Sequence, residues 1–276
     1  MDILELIKAV ILGLVEGMTE FAPVSSTGHM IIVDDMWLKS EAFLTGHVAN
    51  TFKIVIQLGS VLAVVVVFRE RFYDLLGLKK SDTKRERGGR RLKLPHIFVG
   101  LLPAAVIGLA FEDVIDTHLF STKTVLIGLL LGAILMMIAD KYAFNKPTAE
   151  TVDQITYRQA FSVGLMQCFS LWPGFSRSGA TISAGVLTGM SHRTAADFTF
   201  IMAVPIMAGA SGLSFFKHIQ YFTMDALPFF IVGFISAFVF ALLSITFFLK
   251  AIDRVKLFPF AVYRVILVVV IWTVYF

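Results

Sequence analysis

Long apolar runs separated by short polar stretches dominate the pattern of this 276-residue chain. An apolar run of about 20 residues is long enough to cross a lipid bilayer as an α-helix. Six runs predict such helices, the first two of them short by that measure: 53–68, 95–111, 121–140, 197–216, 227–249 and 257–276. The hydrophobic fraction of 57% and the mean hydropathy of +0.80 exceed what a soluble domain of this size needs. The sequence therefore predicts an all-α polytopic membrane protein.

Two further apolar segments repeat one another and are interrupted by polar residues. Residues 13–28 align without a gap on residues 164–179. Each segment reads as a helix that breaks near a proline, Pro23 or Pro173, before hydroxyl residues and a glycine. Broken backbone is tolerated in a bilayer only inside protein or beside a wet cavity. A duplicated, broken and polar segment of this kind is typical of an intramembrane ligand site.

The basic residues predict how the helices are oriented. Residues 69–93 contain ten Lys or Arg against four acidic residues, which is typical of a cytoplasmic loop beside a membrane helix. With that loop inside, each broken segment must enter the membrane and turn back as a re-entrant hairpin, unless residues 1–21 cross completely. Each hairpin is followed by three spans, and three is odd, so the two halves form an inverted-topology repeat. The predicted parts are re-entrant hairpins 1–50 and 158–193 within repeats 1–140 and 158–276, which form one integrated membrane domain.

Two glutamates approach the first break on one helical face. Glu16 and Glu20 are four residues apart, and no other charged residue lies within 9–33. A carboxylate at membrane depth is costly unless it is paired, so the structural alternatives are a protonated side chain or a partner arginine. Two carboxylates on one face repel each other, and a shared divalent cation, Mg²⁺ or Ca²⁺, relieves that repulsion. We therefore predict Glu16 and Glu20 as metal ligands, and Glu20 as a catalytic residue as well.

Hydroxyl residues follow at the predicted start of a half-helix: Ser25, Ser26 and Thr27, with Gly28 and His29 after them. Free N–H groups and the helix dipole favour an anion there, and a glycine lets the backbone approach a ligand closely. Capping of a broken helix is the structural alternative. The histidine three residues after Ser26 favours chemistry, because serine or histidine can attack phosphorus and histidine can move protons.

The second break carries an arginine between two serines. Arg177 is the only charged residue between Gln159 and Ser191, and a guanidinium binds phosphate in a bidentate manner. A salt bridge from Arg177 to one of the two glutamates is the structural alternative. Two glutamates and one arginine leave the combined site net negative, so phosphate binding needs the cation as well. The predicted substrate-binding residues are Arg177, Ser176, Ser178 and Thr181, with Ser25, Thr27 and Gly28 of the first break.

These motifs resemble those of the undecaprenyl-pyrophosphate phosphatase family, the bacitracin-resistance type. The resemblance rests on residues 16–29 and 173–181 and extends over essentially the whole chain. It implies hydrolysis of undecaprenyl diphosphate to the monophosphate and inorganic phosphate, which recycles the carrier lipid for peptidoglycan. It also implies a divalent cation and an active site that opens to the extracytoplasmic side of the bacterial plasma membrane.

The expected partners follow from this interpretation. They are a polyprenyl diphosphate lipid and membrane lipids, with no nucleic acid, and a homodimer is left open. The competing function is a lipid-phosphate flippase or secondary transporter, because inverted repeats with broken helices are more typical of carriers.

Three nucleophiles remain open at this point. Ser26 is preferred, with His29 as its base and orienter; His29 itself and a metal-activated water are the other two. Every version requires the two breaks to meet in space, with Arg177 close to Glu20 and Ser26.

Overall fold

A computed structural model describes residues 2–78, 91–119, 121–218 and 224–276 of the chain. Within those residues the secondary structure is helical, apart from one isolated bridge between Ala149 and Met190. Six of the ten basic residues in the predicted cytoplasmic loop fall in 79–90 and lie outside the described residues.

The helices follow the apolar pattern of the sequence. In the first half they are α1 (Ile3–Thr19), α2 (Ser26–Met30) with a π-helical continuation (Ile31–Leu38), α3 (Gly46–Val67), α4 (Arg69–Leu75), α5 (Leu94–Ala110), α6 (Glu112–Leu119) and α7 (Thr122–Lys141). In the second half they are α8 (Tyr157–Gln167) with a 3-10 turn (Cys168–Leu171), α9 (Arg177–Leu187), α10 (His192–His218), α11 (Leu227–Val255) and α12 (Phe258–Tyr275).

Four helices of the described residues are long and apolar enough to cross a membrane: Val48–Val67, Thr122–Lys141, His192–Leu213 and Met224–Val255. A fifth is added if α5 and α6, which are bent by 67° at their junction, count as one span. The apolar helix Phe258–Val274 is shorter than these. The prediction of an all-helical, multi-pass membrane protein is confirmed, and crossing by 95–111 and 257–276 stays a prediction.

Close packing of α1 on α11 holds the first half against the second. Gly13 and Gly17 face α11, so the two backbones approach where a side chain would collide. Serines of α11 bond to carbonyls of α1: Ser236 Oγ donates to Val10 O at 2.7 Å and Ser244 Oγ to Met18 O at 3.0 Å. The helix that leads to the first break is therefore fixed along most of its length.

A cluster of aromatic rings places the first break against the core. Phe200 of α10 lies 5.2 Å from Phe21, measured between ring centroids, and also contacts Phe68 and Phe248. Phe21 is fully buried although it belongs to the turn after α1. By contrast, large apolar side chains such as Phe247 are exposed on the outer faces, as a lipid-facing surface requires.

The glycine contact predicts a specific loss of stability. A Cβ added at Gly17 would lie 2.8 Å from the Ala241 backbone nitrogen, so Gly17→Ala should lower the free energy of unfolding by about 1–3 kcal/mol through overpacking. Gly209→Ala in α10 is the matched control, because its Cβ would meet nothing within 4 Å. Thermal unfolding of the purified proteins in detergent measures both. Equal melting temperatures for the two variants would contradict the close α1–α11 contact.

Candidate active site

The two breaks share one local structure. Each short helix after a break starts at a serine with a positive φ, 71° at Ser25 and 72° at Ser176. Each serine side chain accepts a hydrogen bond from the backbone N–H of a glycine three residues later, Gly28 or Gly179. Positive φ is uncommon outside glycine and concentrates at functional sites. The repeat read from the sequence is thus also a repeat in backbone conformation.

The structure brings the two breaks into direct contact. Arg177 Nη2 lies 3.2 Å from Glu20 Oε1, and Ser26 Oγ donates to the other carboxylate oxygen, Glu20 Oε2, at 2.6 Å. Ser178 Oγ also donates to the Ala22 carbonyl at 3.1 Å. The Arg177 and Glu20 side chains are only 14% and 9% exposed. Residues far apart in sequence therefore form one continuous chain of polar contacts, from arginine through carboxylate to hydroxyl.

A cavity of about 420 Å³ opens onto this chain of contacts. Part of its wall is polar and comes from both breaks, and part is apolar and comes from the turn after α8 and from α10. The predicted site residues that line it are Glu20, Ser25, Ser26, Thr27, Ser176 and Arg177. The apolar wall includes Leu171, Trp172, Ile206 and Met207.

Several other predicted residues support the breaks from behind the cavity wall. Thr181 is fully buried, and its hydroxyl donates to the Arg177 carbonyl at 2.8 Å. Ser178 is buried against the first break through the bond to Ala22 described above. A Cβ at Gly28 would lie 3.1 Å from Leu129 of α7, so this glycine permits helix packing. These residues do not line the cavity, and the contacts that they make hold the breaks in place.

His29 has hydrogen-bond partners at both ring nitrogens. Nδ1 lies 2.8 Å from the Ser25 carbonyl, and Nε2 lies 2.7 Å from the hydroxyl of Tyr263 in α12, whose ring stacks on the imidazole. The histidine does not line the cavity, and the Ser26 hydroxyl donates to Glu20 rather than to His29. The expected pairing of Ser26 with a histidine base is therefore replaced by a pairing with a carboxylate.

Glu16 lies one helical turn before Glu20 and is 6% exposed, and its Oε1 has no hydrogen-bond partner. Within the described parts of the chain, no group of three or more His, Cys, Asp or Glu side chains is arranged to hold a metal ion. Two carboxylates are a small donor set for Ca²⁺, which takes six to eight oxygens. They suit Mg²⁺, which uses one or two carboxylates together with substrate phosphates and water.

Sequence reasoning missed Arg264, which is fully buried in α12. Its Nη2 donates to three backbone carbonyls: Gly128 at 3.2 Å, Gly174 at 2.7 Å and Phe175 at 2.9 Å. Two of these carbonyls belong to the turn that carries Arg177. A signal was present, since Arg264 is the only charged residue in 257–276 and a lone charge in an apolar segment seldom lies there by chance.

The fold and the site together define a class of protein. It is a multi-pass helical membrane protein whose buried polar site, rich in hydrogen-bond donors, joins two broken helical segments.

Comparison with known proteins identifies the family within that class. The chain belongs to the family described as bacitracin resistance protein BacA, whose model matches residues 9–270. The family resemblance read from the motifs is thereby confirmed.

The relatives extend over the full chain. An undecaprenyl-diphosphatase of Anoxybacillus flavithermus is 71% identical over 276 residues and covers 100% of both chains. Proteins of the same name from Bacillus subtilis and Staphylococcus aureus are similar too. The first is 60% identical over 271 residues, 98% of each chain. The second is 56% identical over 283 residues, 100% of this chain and 97% of the relative.

The bonds from Arg264 predict a loss of stability on its removal. Arg264→Met keeps an unbranched side chain but leaves three carbonyls without their donor, so we expect the free energy of unfolding to fall by about 2 kcal/mol or more. Arg254→Met, at an exposed position in the last turn of α11, is the control and should melt like the wild type. Thermal unfolding in detergent compares them. A wild-type melting temperature for Arg264→Met would show that these bonds do not hold the turn.

Proposed function

We propose that this chain is an undecaprenyl-diphosphatase. It hydrolyses undecaprenyl diphosphate in the membrane to undecaprenyl phosphate and inorganic phosphate, which returns the carrier lipid to peptidoglycan synthesis and confers resistance to bacitracin. Membership of the BacA family and the names of full-length relatives support this reaction. The structural observation that supports the proposal most directly is the series of polar contacts from Arg177 to Glu20 and from Glu20 to Ser26. Transport of a lipid phosphate is not favoured, because the relatives are named for hydrolysis.

The cavity suits both ends of such a substrate. A guanidinium binds phosphate oxygens through a rigid fork of donors, and Arg177 stands at the first turn of α9, where free N–H groups also favour an anion. The apolar wall around Leu171 and Ile206 is compatible with the first isoprene units. The diphosphate headgroup therefore binds where the two breaks meet, and the isoprenoid tail extends along the apolar cavity wall toward the lipid.

Ser26 is the nucleophile in this proposal, and Glu20 is its base. The Ser26 oxygen attacks the terminal phosphorus while its proton passes to the Glu20 carboxylate at 2.6 Å. The bond from that phosphorus to the bridging oxygen breaks, and undecaprenyl phosphate leaves. Water then attacks the phosphoserine, inorganic phosphate departs, and Ser26 recovers a proton. Arg177 neutralises charge on the oxygens throughout, which is the main contribution a protein makes to phosphoryl transfer.

His29 has a positioning role in this scheme. Both ring nitrogens already have partners, the Ser25 carbonyl and the Tyr263 hydroxyl, so the ring fixes the start of α2 against α12. Direct attack by water with Glu20 as its base is the remaining chemical alternative.

A divalent cation fits beside these residues, and the buried Oε1 of Glu16, which has no hydrogen-bond partner, supports its presence. Glu16 and Glu20 would hold it together with phosphate oxygens of the substrate, and Mg²⁺ suits that donor set better than Ca²⁺. When bound, it neutralises charge on the diphosphate. Because the protein alone supplies two carboxylates, we expect the cation to bind mainly together with the substrate.

An inverted-topology repeat explains why two similar breaks meet. The matching φ values at Ser25 and Ser176, and the three longer helices after each break, support it. In this arrangement α1–α2 and α8–α9 are re-entrant hairpins that enter from opposite sides. The site opens to the extracytoplasmic side of the bacterial plasma membrane through the first hairpin.

Replacement of the nucleophile gives the sharpest test of the chemistry. Ser26→Ala should reduce phosphate release from undecaprenyl diphosphate by at least about a thousandfold, because no hydroxyl remains to attack. His29→Gln should retain activity within about tenfold, because an amide can keep a hydrogen bond to Tyr263. Phosphate release by purified protein in detergent with Mg²⁺ is the assay. If Ser26→Ala releases phosphate at the wild-type rate and His29→Gln is also active, water is the nucleophile. If Ser26→Ala is active and His29→Gln is inactive, His29 is the nucleophile.

Chemical labelling of single cysteines tests the orientation. In a Cys168→Ser background, Thr45→Cys before α3 should react with a membrane-impermeant maleimide in intact cells. Lys146→Cys after α7 should react only after permeabilisation. Both positions are exposed, so a difference in labelling reports the side of the membrane rather than burial. The reverse pattern would place the site on the cytoplasmic side.

A further inference from the structure

One buried amide in the cavity wall has no role in the mechanism above. Gln167 is the last residue of α8, is one of the residues that line the cavity, and is 2% exposed. Its Nε2 has no hydrogen-bond partner among the described residues. Burying an amide N–H without an acceptor is unfavourable, so such a group normally bonds to protein, ordered water or a ligand.

A second unpartnered donor lies on the same cavity. Arg177 also lines it, and while Arg177 Nη2 binds Glu20, the other terminal nitrogen, Nη1, is buried without a partner. Two donors that lack acceptors on one cavity call for a ligand rich in acceptor oxygens. A diphosphate has many acceptor oxygens and, when fully ionised, no hydrogen-bond donor.

The internal repeat shows which residue of the first break corresponds to Gln167. The gapless alignment that pairs Ser25 with Ser176 pairs Gln167 with Glu16. At this position one repeat has a carboxylate, which accepts hydrogen bonds and can hold a cation, and the other has its nearly isosteric amide, which can donate to an anion. A carboxylate at position 167, in addition to Glu16 and Glu20, would repel the diphosphate and compete for Arg177. A carboxylate of the first repeat thus corresponds to an amide donor in the second.

The backbone at the end of α8 is held in place by two contacts. Ser170 Oγ donates to the Gln167 carbonyl at 2.6 Å, which ties the following turn to the helix end. Gly164, one turn earlier, packs directly on Gly100 of α5, where an added Cβ would lie 2.9 Å from the Gly100 carbonyl carbon. A backbone fixed in advance reduces the entropy that is lost when its side chain binds a ligand.

We infer that Gln167 is a substrate-binding residue, whose side-chain amide donates to a diphosphate oxygen beside Arg177 Nη1. The inference rests on the proposed function and adds a contact and a source of specificity to it. An oxygen-rich anion satisfies both donors at once, whereas an uncharged lipid headgroup does not.

Binding of methylenediphosphonate, a diphosphate that cannot be hydrolysed, tests this contact by isothermal titration calorimetry in detergent with Mg²⁺. Gln167→Met removes the amide at similar volume and should weaken binding about ten- to hundredfold, as expected for a lost hydrogen bond to a charged group. Gln167→Glu should bind more weakly still, because a carboxylate repels the ligand. Cys168→Ala, the neighbour outside the cavity lining, is the control and should bind like the wild type.

The outcomes separate this inference from the proposed function. Wild-type affinity in Gln167→Met or in Gln167→Glu overturns the inference, and the near-isosteric Glu variant keeps the test decisive if the Met variant does not fold. Absence of binding by the wild type overturns it too. Phosphate release from undecaprenyl diphosphate by the wild type is measured in parallel. If the wild type releases phosphate but the variants bind methylenediphosphonate as tightly as the wild type, the proposed phosphatase activity is supported and only the role of Gln167 is rejected.

Discussion

Irregular backbone inside a bilayer must find all of its hydrogen bonds within the protein, and this constraint shapes the whole structure. Helices α1 and α8 each end before a break, and the ends leave polar groups of the main chain without helical partners. Serine side chains cap the new helix starts, and Ser178 bonds the carbonyl of Ala22 in the opposite break. Arg264 binds carbonyls of the second break from behind. Each break is stable because the other break and α12 complete it.

The same constraint explains why the charges of the site are so few and so closely paired. A carboxylate or guanidinium at membrane depth is costly, and each one present must be balanced by a partner or a ligand. Glu20 is balanced by Arg177 and by the Ser26 hydroxyl. Glu16, Gln167 and Arg177 each keep one buried polar atom without a partner. These atoms lie in or next to the two breaks, so the irregular parts of the fold also have the polar atoms that are free to bind.

The same local structure occurs twice in this chain with different side chains. Both breaks have the same backbone turn, with a positive φ at the capping serine, but the next residue differs: Ser26 in the first and Arg177 in the second. Where the two turns meet, the Ser26 hydroxyl and the Arg177 guanidinium contact the same carboxylate, that of Glu20. Two turns of the same conformation therefore contribute different side chains to one cluster, and neither turn has the full set of groups alone.

The sequence by itself determined the membrane class, most helix positions and the polar residues of the two breaks. Apolar length, proline breaks and lone charges are local signals, and each arises from the cost of burying polar groups in lipid. Which residues touch was decided only by the tertiary structure. Spacing along one helix favoured His29 as the partner of Ser26, yet the turn directs the hydroxyl to Glu20 and the imidazole to Tyr263. Arg264 and Gln167 gain their significance from groups brought close by helix packing, because hydrogen bonds depend on distance in space, which a linear pattern does not contain.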